Sequence, residues 1–190
     1  RYHHLFRDFL QVRLRQTQPE RYGDLLRRAA ALFERRGKMD QAIEHWLAAN
    51  EPRDAARLIQ IVLTAYYEGG RWTTLMRWLD ALPEEVMREA PEMLLSRATL
   101  DAEMGAVEAA QQNFESAIAE FGARGDSNNL ARTLIESARY EPNLETTIER
   151  CERAIAMLPE GEYFIRATGY RVIGGKKALH GDYTGAIPLL

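Results

Sequence analysis

Between its prolines and glycines the chain sets apolar side chains three and four residues apart, the spacing of one buried helix face, and no β-type alternation competes with it. That pattern predicts about ten to twelve helices. Pro19, Pro52, Pro83, Pro91 and Pro142 suit first helical turns, where a missing N–H costs nothing. Gly37, Gly70, Gly105, Gly161 and Gly181 suit turns or C-terminal caps.

Four of those glycines share one downstream register. Two residues after each stands Met39, Trp72, Val107 or Tyr183, and five after stands Ala42, Leu75, Ala110 or Ala186. Nine after come Trp46, Leu79, Phe114 and Leu190, and twelve after come Ala49, Leu82 and Ala117. Pro142 fills a fifth turn slot, followed by Leu144, Thr147, Cys151 and Ala154. The turns then fall at 37, 70, 105, 142 and 181, with separations of 33, 35, 37 and 39 residues. Seven residues before each turn lies Ala30, Leu63, Ala98, Ile135 or Gly174, a slot usually small where the two helices of a hairpin cross. This register resembles the tetratricopeptide repeat, with departures: Asp101 stands where an aromatic is usual, Leu63 and Ile135 replace small residues, and the period drifts above ~34 residues. The resemblance implies an all-α, tetratricopeptide-like right-handed superhelix of antiparallel hairpins. Trp46, Phe114, Cys151, Ala30, Ala42, Ala110 and Ala117 are its expected buried positions.

Composition adds bounds. A chain of 190 residues, 46% hydrophobic, can bury a sizeable core, and 28% charged residues with a net charge of -3 describe an ordinary surface. The average hides a basic end: residues 1–38 hold ten Lys/Arg against four Asp/Glu. Those arginines alternate with core positions, so a face turned to a neighbouring domain is favoured over a nucleic-acid footprint. One cysteine excludes an internal disulfide, and the longest apolar run, Leu58-Ile59-Gln60-Ile61-Val62-Leu63, is far short of the ~20 residues of a membrane span. A cytoplasmic protein with no membrane partner is expected. The start at Arg1 and the stop at Leu190 inside a helical pattern suggest an excised piece.

Three features could carry chemistry, and each has a blander account. Gly169 and Gly174 have the glycine spacing of a phosphate-binding loop, but Gly175 occupies the lysine position, Lys177 the Ser/Thr position, and no strand precedes them. They read instead as close-approach positions of a repeat helix. His3, His4, His45 and His180 include no i, i+4 pair and no HExxH, so no metal site is expected, and His45 covers a helix surface beside Trp46. Cys151 takes a core slot and reads as a buried inert thiol. Glu84-Glu85 after Pro83 fits a first helical turn. No convergent catalytic groups emerge, which argues against an enzyme on an all-α scaffold.

The opening Arg1-Tyr2-His3-His4-Leu5-Phe6-Arg7-Asp8-Phe9-Leu10 resembles the last segment of the winged-helix part of MalT-like, LuxR-type regulators of the STAND class. Ala29-Ala30-Ala31-Leu32-Phe33-Glu34-Arg35-Arg36-Gly37 and Asp40-Gln41-Ala42-Ile43-Glu44-His45-Trp46-Leu47-Ala48-Ala49 resemble the first hairpin of that family's sensor domain. Asp54-Ala55-Ala56-Arg57-Leu58-Ile59 and Trp78-Leu79-Asp80-Ala81-Leu82-Pro83 also match it. The resemblance implies a winged-helix C-terminal helix over 1–17 and a superhelical sensor over 18–190. It further implies ATP bound by an upstream domain rather than by these residues, and DNA contacted through a C-terminal helix-turn-helix. An effector or protein signal on the sensor would release autoinhibition and permit oligomerisation. A tetratricopeptide adaptor for a peptide or protein, unrelated to transcription, is the alternative; the segment Tyr2–Leu14 is what an adaptor would not need.

A candidate ligand or partner groove follows from what packing leaves over on each first helix. In the fourth unit Ala131, Leu134, Ile135 and Ala138 form the buried stripe, leaving Arg132, Glu136, Arg139 and Tyr140 on another face. The equivalent residues are Gln60, Thr64 and Tyr67 in the second unit and Arg171 in the fifth. A groove mixing hydrogen-bond donors with aromatic platforms is expected, the competing account being a solvated face with local pairs such as Arg132 with Glu136.

Overall fold

A computed structural model describes residues 4–190, and the side chains of all of these except His4, Leu5, Arg7 and Asp8. The described residues form twelve α-helices and one short 3-10 turn, with no strand. Contacts divide the chain into two compact units, Arg1–Met87 and Arg88–Leu190.

The first unit contains α1 (His4–Thr17), α2 (Pro19–Arg35), α3 (Met39–Ala48), α4 (Pro52–Glu68) and α5 (Trp72–Asp80). The pairs α2/α3 and α4/α5 are antiparallel hairpins around Gly37 and Gly70. Helix α6 (Glu84–Glu89), opened by the acidic Glu84 and Glu85 after Pro83, follows α5. The second unit holds three more hairpins: α7 (Pro91–Glu103) with α8 (Val107–Ala123), α9 (Ser127–Tyr140) with α10 (Leu144–Met157), and α11 (Tyr163–Leu179) with α12 (Tyr183–Ala186). Five tetratricopeptide-like hairpins thus stand at the five turn positions expected from the sequence.

The turns share one backbone solution. Gly37, Gly70, Gly105 and Gly181 have φ of 68°, 68°, 81° and 84°, a region open to glycine because it lacks a Cβ. In each, the next residue's N–H reaches back five residues: Lys38 to the Phe33 carbonyl at 2.9 Å, Arg71 to Tyr66 at 2.8 Å, Ala106 to Asp101 at 2.8 Å and Asp182 to Lys177 at 2.9 Å. That bond occupies a carbonyl the helix end would otherwise orphan. The Pro142 turn differs. Glu141 ends α9 in an extended conformation, and Asn143, whose side chain accepts from the Thr146 N–H at 3.0 Å, starts α10. Pro142 therefore occupies the turn itself and not a first helical turn, whereas Pro19, Pro52 and Pro91 do open α2, α4 and α7.

The repeat core follows the register. Ala30, Ala42, Ala98, Ala117 and Cys151 are fully buried, and Ala110 and Phe114 nearly so. Ala131, Leu134, Ile135 and Ala138 pack with Cys151, Ala154 and Ile173 in one cluster. Three positions depart. Trp46 is only half-buried, an indole being too large for a crossing sized by alanines; its Nε1 is buried without an acceptor of good geometry. Leu63 is half-buried while its neighbour Val62 is buried. Leu190 is 71% exposed, because α12 gives way after four residues to a 3-10 turn at Ile187–Leu189 that contains Pro188.

Asp101, the odd residue of the third unit, is 2% exposed. It accepts from Arg97 Nε at 3.1 Å and from Asn113 Nδ2 at 2.9 Å, so a charge-assisted clasp between α7 and α8 replaces the usual aromatic.

Candidate functional site

Helix α9 carries Arg132, Glu136 and Arg139 on a face to one side of the Ala131-Leu134-Ile135-Ala138 stripe, while its Thr133 and Ser137 are buried, and α11 packs alongside it. The register between these two helices and their connections is held by Asn128 Nδ2 donating to Glu162 at 3.2 Å and by Lys176 Nζ donating to the Glu141 carbonyl at 2.5 Å. Gly169, inside α11, permits the approach: a Cβ there would lie 3.1 Å from Ile155 and 3.3 Å from Ile135. Gly174 likewise lies under Leu190 and the Ala186 carbonyl. Both glycines are buried in a helix and neither belongs to a phosphate-binding loop.

Four of the candidate residues converge on this face. Glu136 is paired with Arg139 at 3.2 Å, while Arg132 of the same helix and Arg171 of α11 act on it from longer range. The local partner is therefore Arg139 and not Arg132. Neither Arg132 nor Arg171 closes an ion pair within 4.0 Å among the described residues, and both are exposed. Burial pushes the Glu136 carboxyl above its ordinary value; Arg139 opposes that, Glu103 adds to it, and Arg132 and Arg171 oppose it more weakly. At the Glu136 register position of the next unit stands Gly175, where a Cβ would meet nothing within 4 Å.

Tyr140 serves packing as well as the face. Its hydroxyl donates to Glu103 at 2.6 Å, and its ring stacks on Phe114 with centroids 6.0 Å apart. The two rings line a cavity of about 130 Å³ together with Ala102, Ala110, Ser137, Pro142 and Arg150. The sequence reading missed this cavity; its one visible signal was Pro142 in a slot where the other turns carry glycine.

Gln60, Thr64 and Tyr67 share a face of α4 in the first unit, Gln60 and Thr64 exposed and Tyr67 half-buried. Tyr67 stacks on Trp72 at 5.8 Å, and its carbonyl accepts the Trp72 indole N–H at 2.8 Å. They form a local stripe of their own. The basic opening segment is seen in part: Arg1, Tyr2 and His3 lie outside the described residues, while Phe6, Phe9, Leu10 and Val12 of α1 are exposed. Elsewhere, burial pushes the Cys151 thiol up to about 11, which keeps it protonated and unreactive at neutral pH. His45 tilts against Phe33, ring centroids 4.9 Å apart, and its Nδ1 lies 2.7 Å from the Gln41 carbonyl. Among the described residues no three His, Cys, Asp or Glu side chains gather as metal ligands, and no helix is long and apolar enough to cross a membrane.

No family model matches the chain. It is 24% identical over 196 residues, its whole length, to the HTH-type transcriptional regulator MalT of Vibrio parahaemolyticus, covering 22% of that protein. It is 35% identical over 94 residues, 49% of the chain and 11% of the relative, to the HTH-type transcriptional regulator AlkS of Pseudomonas putida. Over 100 residues, 53% of the chain and 8% of the relative, it is 36% identical to the serine/threonine-protein kinase PknK of Mycobacterium tuberculosis. The chain thus spans 8% to 22% of the length of these curated relatives. Among solved structures, BtubC from P. vanneervenii matches it with a TM-score of 0.62 at 16% identity, covering 95% of this chain and 82% of that one. That likeness bears on the fold alone.

Proposed function

We propose that this chain is the signal-sensing superhelix of a MalT-like, LuxR-type transcription regulator of the STAND class. The whole-length similarity to an HTH-type regulator carries the reading, and the five-hairpin repeat supports it, since stacked hairpins expose first-helix faces whose residues are free to specialise. The chain's role is to bind: an effector or a protein signal on the α9/α11 face shifts the intact protein out of autoinhibition and towards an oligomer. ATP and DNA would be bound by other domains of that cytoplasmic protein, with 1–17 closing a winged helix and 18–190 forming the sensor. No catalytic role falls to these residues. The similarity to part of a kinase fits a binding module joined to different outputs, and the regulator relatives weigh against a free-standing adaptor.

The test is a transcription reporter driven by the intact regulator. Arg139→Ala with Tyr140→Ala abolishes the response to the physiological signal while helical content is retained, and Tyr140→Phe, which keeps the stack on Phe114, serves as the packing control. An unchanged response in the double variant sinks the assignment of this face.

A further inference from the structure

We infer that the α9/α11 face binds a small anion, a carboxylate or phosphate group received by Arg132, Arg139 and Arg171 beside Glu136. This deepens the sensor reading and rests on it for the location of the site. The charge arrangement is specific to this step of the repeat. Two adjacent first helices bring three guanidinium groups to one half-buried carboxylate, and one of the three forms a direct ion pair with it. Arg132 and Arg171 are exposed, and the guanidinium fork matches two oxygens of one carboxylate or phosphate. Beside them Gly175 leaves the neighbouring register position without a side chain.

The size of the ligand follows from the same geometry. Arg132 and Arg139 are seven residues apart on α9, about 10 Å along the helix at 1.5 Å per residue. That span accepts one or two acid groups of a small molecule. It does not form the extended basic track that a nucleic-acid backbone needs, and the net charge of -3 works against one.

Glu136 makes the site proton-linked. The groups that face it are Arg139 and Arg132 of its own helix, Glu103 of α7 and Arg171 of α11. An incoming anion repels the carboxylate, so binding favours its protonated form, and removing that charge strengthens binding.

Isothermal titration of the 190-residue chain with inorganic pyrophosphate and, separately, with citrate tests this, with glycerol as the uncharged probe. Saturable binding of one anion or both is expected, and the stronger arm names the acid group. Arg132→Ala and Arg171→Ala each weaken it about tenfold or more, Glu136→Gln strengthens it at neutral pH, and Arg153→Ala, an exposed arginine of α10, leaves it unchanged. No saturable binding, or equal weakening by Arg153→Ala, overturns the inference. If anions fail to bind while Arg139→Ala with Tyr140→Ala still loses the reporter response, the sensor reading stands without its anion. Binding together with an intact reporter response leaves the anion site standing and removes the sensor reading.

Discussion

The two units build the same hairpin with different second helices. In the first unit α3 and α5 have 10 and 9 residues against 17 in both first helices, whereas in the second unit α8 and α10 have 17 and 14 and the last second helix, α12, has 4. A helix seven residues shorter offers about 10 Å less apolar face. The first unit compensates with ionic stitches between its two hairpins. Glu34 accepts Arg57 in a fork at 2.8 and 3.0 Å. Asp40 takes the Tyr66 hydroxyl and, at 2.7 Å, Arg71, whose guanidinium lies 3.9 Å from the centre of the Tyr66 ring. Glu44 takes Arg77 at 3.0 Å and the Trp78 indole at 2.8 Å. The second unit leans more on alanine, glycine and Cys151 packing, with an ion pair between its hairpins, Arg150 to Glu115 at 2.9 Å, and the Tyr140 hydroxyl on Glu103. Its carboxylate Glu136 is half-buried beside Arg139. The repeat therefore tolerates two kinds of seam, provided the apolar register is kept.

Native probes separate the two. All three tryptophans lie in the first unit and the single cysteine in the second, so indole fluorescence follows one and thiol accessibility the other. The largest effect is expected from Trp78→Ala, which empties a fully buried site and removes a donor from Glu44; a loss of about 3–5 kcal/mol in the first unit should appear in urea unfolding followed by the remaining indoles. A cost below about 1 kcal/mol would show that the stitches, and not the aromatic, hold that seam. Next comes Gly169→Val in the second unit, where the added methyls meet Ile155 and Ile135; overpacking of about 2–3 kcal/mol should speed the reaction of Cys151 with a thiol reagent.

The smallest effect is the most diagnostic, because its sign differs between the units. Arg57, Tyr66 and Arg77, each the strongest influence on its partner, hold Glu34, Asp40 and Glu44 below their ordinary values. Their stabilisation is present above the usual carboxylate pKa and is lost as pH falls through the lowered one. Glu136 is raised, so its contribution is greatest in acid and is lost as pH rises through its folded pKa. Between pH 5 and 3 the indole-reported stability should fall, while Glu136→Gln should raise the thiol-reported stability near pH 7 by about 0.5 kcal/mol and change it little in acid. Parallel pH curves for both probes would erase the distinction.

The hairpins were legible in the sequence because one glycine in a left-handed turn and one small residue at a crossing are local requirements, satisfied by the residue itself. Gly37, Ala42 and Ala98 announce their roles without knowledge of a partner. Asp101 was legible as an anomaly, but its clasp was not, since Arg97 and Asn113 become its neighbours through the crossing of two helices. The candidate face divides in the same way. Helical periodicity placed Arg132, Glu136 and Arg139 together, and repeat register added Arg171. Which arginine pairs with Glu136 depends on side-chain rotamers and burial, and Tyr140 proved to be anchored by Phe114 and Glu103, from helices that periodicity along α9 does not reach.

The hydrogen-bonded turns also decide how the chain meets a protease. Arg36, Lys38 and Arg71 flank turn glycines and are exposed, so trypsin finds its preferred side chains there. Cleavage needs a segment that can be drawn out into an extended strand, and these residues sit in three-residue connections tied back by the bonds from Lys38 to Phe33 and from Arg71 to Tyr66. Digestion at these sites must wait for a hairpin to open. Nicking there is a clock for local unfolding, with the basic residues as its hands and the left-handed glycines as its escapement.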